Sequence, residues 1–129
     1  FGSVHVDPGA GWFPHTAGFA DETGTGRGAG ANRNLPLAPG TGDDPWAAAV
    51  ADLVDAAVAH GAEAFVVSLG VDAAAGDPES PLEVTRSGFA AAGRSLAAPG
   101  LPTVFVQEGG YDLDTLGDLV LAVLDGFEE

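Results

Sequence analysis

Two stretches decide the fold: Ala64-Phe65-Val66-Val67-Ser68-Leu69-Gly70-Val71-Asp72 and Thr103-Val104-Phe105-Val106-Gln107-Glu108-Gly109-Gly110-Tyr111. Each is an apolar, β-branched run that ends in glycine and then in a side chain able to do chemistry. A helical stretch separates them, so the unit reads strand, loop, helix, strand. Ligands of open parallel sheets bind beyond the carboxyl ends of the strands, so Asp72 and Tyr111 can face one pocket. A carboxylate can ligate a metal, and a phenol beside two glycines can donate a hydrogen bond to a carbonyl oxygen. Each residue also has a plainer reading. Asp72 can cap a turn, the Tyr111 ring can cover core, and Gly109-Gly110 can simply permit positive φ.

Outward from this unit, Asp44-Pro45 marks a helix start, with a cap residue and a proline at the first helical position, and His60-Gly61 closes the helix. Trp46, Val50, Leu53, Val54, Ala57 and Val58 form its apolar face. The run 63–69 reads as a strand buried on both faces. Thr85 caps a second helix through Ala97, ended by Pro99-Gly100, and a strand over 102–107 follows. A third helix begins near Asp112 or Asp114, with an apolar stripe from Leu113 through Leu119 and Val123 to Phe127. Residues 7–43 read as one long loop rich in glycine and proline, whose Trp12, Phe13 and Phe19 are expected to pack against something. With Ser3-Val4-His5-Val6, three strands are visible, alternating with helices as in an α/β domain with parallel strands. Three strands leave a long edge, so their neighbours are expected upstream of Phe1.

The chain has 129 residues, the size of one ordinary domain, and 46% of them are apolar. No run is long enough to span a bilayer, and no signal-peptide pattern opens the chain. It starts at Phe1 and contains no Met, as expected of a fragment of a longer protein. Without cysteine there are no disulfides, thiolate nucleophiles or Cys-based zinc sites, which is compatible with a cytoplasmic protein. The net charge is −15, from 19 acidic residues against four arginines. Such a surface repels nucleic acid and anionic membranes and favours small cationic substrates. Plain solvation of an acidic surface is the better explanation of the charge.

Leu69-Gly70-Val71-Asp72, then Gly76-Asp77-Pro78, then Glu108-Gly109-Gly110-Tyr111 resembles the C-terminal half of the zinc-dependent histone deacetylase superfamily. The upstream residues agree: Ser3-Val4-His5, Gly11-Trp12-Phe13-Pro14, Gly24-Thr25-Gly26-Arg27-Gly28, Asn34-Leu35-Pro36 and Pro39-Gly40-Thr41. Within the superfamily, Phe13-Pro14-His15, Ala20-Asp21-Glu22-Thr23-Gly24 and Gly61-Ala62-Glu63-Ala64 look most like acetylpolyamine amidohydrolases. The resemblance spans the whole chain. It implies a partial three-layer α/β/α, arginase-like fold with parallel strands, in which residues 1–129 form the C-terminal part of a single domain whose N-terminal half is absent.

For individual residues, the resemblance implies that Asp72 is one of three zinc ligands, beside an Asp and a His from an earlier loop. It implies that the Tyr111 hydroxyl stabilises the oxyanion formed on the substrate carbonyl. Phe13 matches a wall of the narrow substrate tunnel, and Gly109 and Gly110 match backbone that approaches the acetyl group. Ser3 and Val4 match positions that help to coordinate a structural potassium ion. His15 sits at the tunnel rim on one reading and is an ordinary surface-loop histidine on another. His5 is expected to make supporting hydrogen bonds, and His60 to cap a helix.

The departure from the family is equally informative. Its tandem histidines and its Asp-x-His pair of zinc ligands have no counterpart among the three histidines here. One carboxylate cannot hold a catalytic zinc alone. The expectation is therefore a zinc-dependent amidohydrolase as the full-length parent, releasing acetate from acetylated polyamines, other small acylated amines or acetyl-lysine, with this chain alone inactive. Its expected partners are that substrate and the missing half of the domain, with a homo-oligomer left open, and neither nucleic acid nor membrane. A catalytically dead binding or assembly module is the first rival. A nucleotide-binding domain ranks well below, because no Gly-x-Gly-x-x-Gly leads from a strand into a helix.

Overall fold

The computed structural model describes residues 1–129. Strands β1 (Gly2–Val6) and β2 (Arg33–Leu37) precede helix α1 (Asp43–Ala59). Strand β3 (Phe65–Leu69), helix α2 (Arg86–Ala97), strand β4 (Thr103–Gln107) and helix α3 (Leu116–Glu128) complete the order. The fold is α/β with every strand pair parallel: β1 beside β2, with Val4 opposite Leu35, and β3 beside β4, with Val67 opposite Phe105. The two pairs do not hydrogen-bond to each other.

A continuous core forms where the helices meet the strands. Val6, Trp46, Leu69, Val71, Phe89 and Val123 are buried together, and the rings of Trp46 and Phe89 meet edge to face at 5.0 Å. Helices α2 and α3 approach closely because Gly93 and Gly126 lack side chains. A Cβ at Gly93 would run into the carbonyl of Val123, and one at Gly126 into that of Ala90. Thr85 accepts from the amide of Ser87, the expected cap, and its hydroxyl donates to the Asp43 carboxylate at 2.7 Å. That bond ties the start of α2 to the start of α1.

Four sequence expectations change. The loop 7–43 contains a fourth strand, β2, hidden by Pro36. Proline is tolerated there because β2 is paired on one side only, so its missing N–H breaks no ladder. Helix α1 begins at Asp43 rather than at Asp44-Pro45, since the Asp43 carboxylate bonds to Thr85 rather than capping its own helix. Helix α3 begins at Leu116, because Asp112 closes a turn of its own: its carboxylate accepts from the Asp114 amide and the Thr115 hydroxyl. Leu113 consequently falls off the helix and stands 78% exposed. Finally, β3 is not buried on both faces. Val67, Leu69 and Phe105 turn to the helices, whereas Val66 on the opposite face is 77% exposed, with Val104 and Val106 beside it also exposed.

Candidate active site

The carboxyl ends of β3 and β4 are stitched together beyond their last paired residues. The Glu108 amide donates to the Leu69 carbonyl at 2.9 Å and the Val71 amide to the Gly109 carbonyl at 3.0 Å. The Ser68 hydroxyl donates to the Glu108 carboxylate at 3.0 Å. Asp72 therefore emerges directly beside the loop that carries Tyr111. Its carboxylate lies over bare backbone: a Cβ on Gly70 would stand 2.6 Å from Asp72 Oδ1, and one on Gly109 would collide with the same oxygen. Gly110 is required twice over. Its φ is +132°, and a Cβ would come within 2.6 Å of Val71 Cγ2 and 2.7 Å of Leu116 Cδ1.

Burial pushes the Asp72 carboxyl above the ordinary carboxylate range. A hydrogen bond from its own backbone amide opposes the shift, and the neighbouring negative charge of Asp77 adds to it. A half-buried carboxylate penalised in its charged form, aimed at an open cleft, is chemically suited to a cation, which would reverse that penalty. The rest of a coordination shell is not present: no three His, Asp or Glu side chains of the chain cluster closely enough to hold a metal ion. Asp72 can offer a cation one carboxylate, and the chain by itself completes no coordination shell around it.

The cleft that Asp72 faces has a volume of about 1570 Å³, and its lining includes Tyr111, Gly109, Phe13, Ser3 and Val4. It is also bordered by β1 on one side and β3 on the other, with the apolar face of α1 beneath. Small-molecule sites measure roughly 300–1,000 Å³, so the space exceeds what a small ligand needs. His15 and Gly110 are not part of that lining. His15 holds a left-handed backbone, φ 59°, with its ring edge-on to Phe13 at 6.4 Å. The Ser3 hydroxyl bonds to His5 Nδ1 at 2.7 Å, and His5 Nε2 meets the Gly18 carbonyl at 2.8 Å, so both ring nitrogens of His5 are engaged. His60 is the C-cap of α1, followed by Gly61 at φ +89°. The long loop above β1 and β2 is organised by Glu22, which accepts from the amides of Gly18 and Phe19, and by buried Asn34, which donates to the Phe19 carbonyl.

Asp77, in the segment Gly76-Asp77-Pro78, carries no role by sequence alone. Its carboxylate is buried and accepts from the backbone of Tyr111 at 2.8 Å, Asp112 at 3.3 Å and Glu79 at 2.9 Å. The available signal was its place in a Gly-Asp-Pro turn after a strand, where aspartate bonds to backbone two residues on.

Parallel strands thus carry an acid and a phenol at neighbouring carboxyl ends, and the comparisons name the family. The histone deacetylase domain matches residues 1–127, and the chain belongs to that family. It is 45% identical over 126 residues to an acetylpolyamine amidohydrolase of Mycoplana ramosa, covering 98% of this chain and 37% of that protein. It is 41% identical to acetylpolyamine amidohydrolase 1 of Pseudomonas aeruginosa, again over 37% of that protein's length. The crystal structure of an acetylpolyamine aminohydrolase from Burkholderia pseudomallei superposes with a TM-score of 0.91 at 39% identity, covering 98% of this chain and 36% of that one. The histone deacetylase Clr3 superposes at 0.87 with 30% identity, over 97% of this chain and 22% of that one. The chain thus spans a little over a third of the amidohydrolases it matches.

Proposed function

We propose that this chain is the C-terminal part of a single deacetylase domain whose complete form hydrolyses the N-acetyl amide of a small cationic amine. The observation that carries this reading is that Asp72, Tyr111, Gly109 and Phe13 border one cleft, the first three from the carboxyl ends of two parallel strands. Asp72 would supply one carboxylate to a zinc ion completed by ligands from the rest of the domain. Zinc, when bound, polarises an amide carbonyl and acidifies a water. Tyr111 donates its hydroxyl to the oxygen that becomes negative, a bond worth most in the transition state. Gly109 makes room for the Asp72 carboxylate and would let backbone come close to the acetyl group, and Phe13 gives the alkyl chain an apolar wall. Ser3 and Val4 would help to hold potassium, and Gly110 and His15 act from behind the tunnel by shaping the two loops.

The acidic balance favours a polyamine over acetyl-lysine in a protein, since a net charge of −15 attracts a free polycation. The cleft between β1 and β3 is where the remaining part of the domain would lay a strand of its own, satisfying the open edges of both pairs. The bare Val66, Val104 and Val106 would then be covered by further helices, completing the third layer. No helix of the chain is long and apolar enough to cross a membrane, and we read the complete enzyme as cytoplasmic. The second reading, a catalytically dead binding or assembly module, draws support from the single site carboxylate that the chain supplies.

Two measurements test the proposal. Purified residues 1–129 with added zinc should release no acetate from N-acetylputrescine, because ligands and general base are missing. In the complete protein, Tyr111→Phe should keep zinc while kcat falls by about 10²–10³, the usual loss for such a donor. Near-normal kcat in that variant makes the hydroxyl structural and removes the assignment.

A further inference from the structure

We propose that Asp77 is a positioning residue for Tyr111: its buried carboxylate clamps the backbone of the Tyr111 loop and thereby aims the phenol into the cleft. This inference rests on the reading of Tyr111 as the oxyanion donor.

Asp77 is 6% exposed, and its charge is answered by backbone alone. Oδ2 accepts from the Tyr111 amide at 2.8 Å and the Asp112 amide at 3.3 Å, while Oδ1 accepts from the Glu79 amide at 2.9 Å. The Asp77 amide in turn donates to the Ala74 carbonyl at 3.1 Å. One side chain thus joins the loop that leaves β3, which bears Asp72, to the loop that leaves β4, which bears Tyr111. Only an acceptor-only group with two oxygens satisfies three convergent amides. An asparagine of the same shape turns an NH₂ toward at least one of them.

The clamp matters because little else directs the phenol. Tyr111 is 54% exposed and borders the cleft rather than the core. Its direction follows from its backbone, which lies between Gly110 at φ +132° and Asp112. Asp112 is fixed from the far side as well, since its carbonyl accepts the Leu116 amide at 3.0 Å where α3 begins. Asp77 therefore holds the Tyr111–Asp112 part of this turn, while the Val71 amide and Gln107 Nε2 hold it at Gly109. A catalytic group displaced by about 1 Å can lose roughly 10²-fold in rate without any change in its chemistry.

The test is a double-mutant cycle in the complete zinc-loaded protein, with N-acetylputrescine as substrate: Asp77→Asn, Tyr111→Phe and both together. Asp77→Asn alone should lower kcat by roughly 10- to 100-fold, with KM and zinc content unchanged. In the Tyr111→Phe background the same substitution should cause no further loss, because the hydroxyl it aims is already gone. An equal loss in both backgrounds shows general damage or an effect through Asp72, and overturns the proposal. Full activity of Asp77→Asn beside an impaired Tyr111→Phe overturns the clamp but spares the site reading. An unimpaired Tyr111→Phe overturns both. Should Asp77→Asn fail to fold, amide hydrogen exchange of the unaltered protein decides. Slow exchange at Tyr111 and Asp112 supports the clamp, and exchange at the rate of an open loop overturns it.

Discussion

The two strand pairs end in different ways. Beyond β3 and β4 the chain is finished: Val71, Leu82, Val84 and Phe89 are buried, and Asp77 meets three amides in the interior. Beyond β1 and β2 the loop is tied mainly by polar contacts of Glu22 and Asn34, and Phe13 projects 76% exposed. The first region packs against the shared core and pins the Asp72 and Tyr111 loops from within, although Val66, Val104 and Val106 on the outer face of its strands stand bare. The second touches the same core through Val6 and Trp12 but leaves Phe13 bare. The difference teaches that the loops after β3 and β4 are fixed by a buried carboxylate, whereas the loop after β1 is fixed largely by exposed polar contacts.

The largest expected effect lies at the junction of the two regions. In the complete protein, Asp72→Ala should abolish bound zinc and activity together, because a three-ligand site reduced to two loses both affinity and geometry. Metal analysis checks it: stoichiometric zinc in the variant would make Asp72 a turn residue and remove the chemical meaning of the finished region. A pair of phenylalanines then separates the regions by stability. Phe89 is 0% exposed, and Phe89→Ala should destabilise the protein by about 3–5 kcal/mol, read from chemical denaturation. Phe13→Ala on the open side should change stability by no more than about 0.5 kcal/mol, while raising KM for N-acetylputrescine through loss of a tunnel wall. A large destabilisation from Phe13→Ala would erase the contrast and show that the loop carries core of its own.

Much of this was legible in the residues. The runs ending at Leu69 and Gln107 read as strands because β-branched and aromatic side chains cluster there, and Thr85 announced the start of α2. Asp72 and Tyr111 could be placed at neighbouring strand ends because a parallel crossover brings its two strands side by side. β2 was not legible, since proline argues against a strand unless one knows that its N–H faces no neighbour. The true starts of α1 and α3 were obscured by Asp43 and Asp112, whose carboxylates bond to Thr85 and to a local turn rather than following the capping pattern.

By itself, then, the sequence determined the alternation of parallel strands and helices, the family, and the acid and phenol that face the cleft. Those follow from local periodicity and from motifs read in order along the chain. Only the tertiary structure decided that one face of β3 and β4 stands bare, that β1 and β3 border a common space without pairing, and that Asp77 reaches across to the backbone of Tyr111. Each depends on which distant segments meet in space. A hydrogen bond between residues 34 positions apart leaves no periodic trace in the chain that makes it.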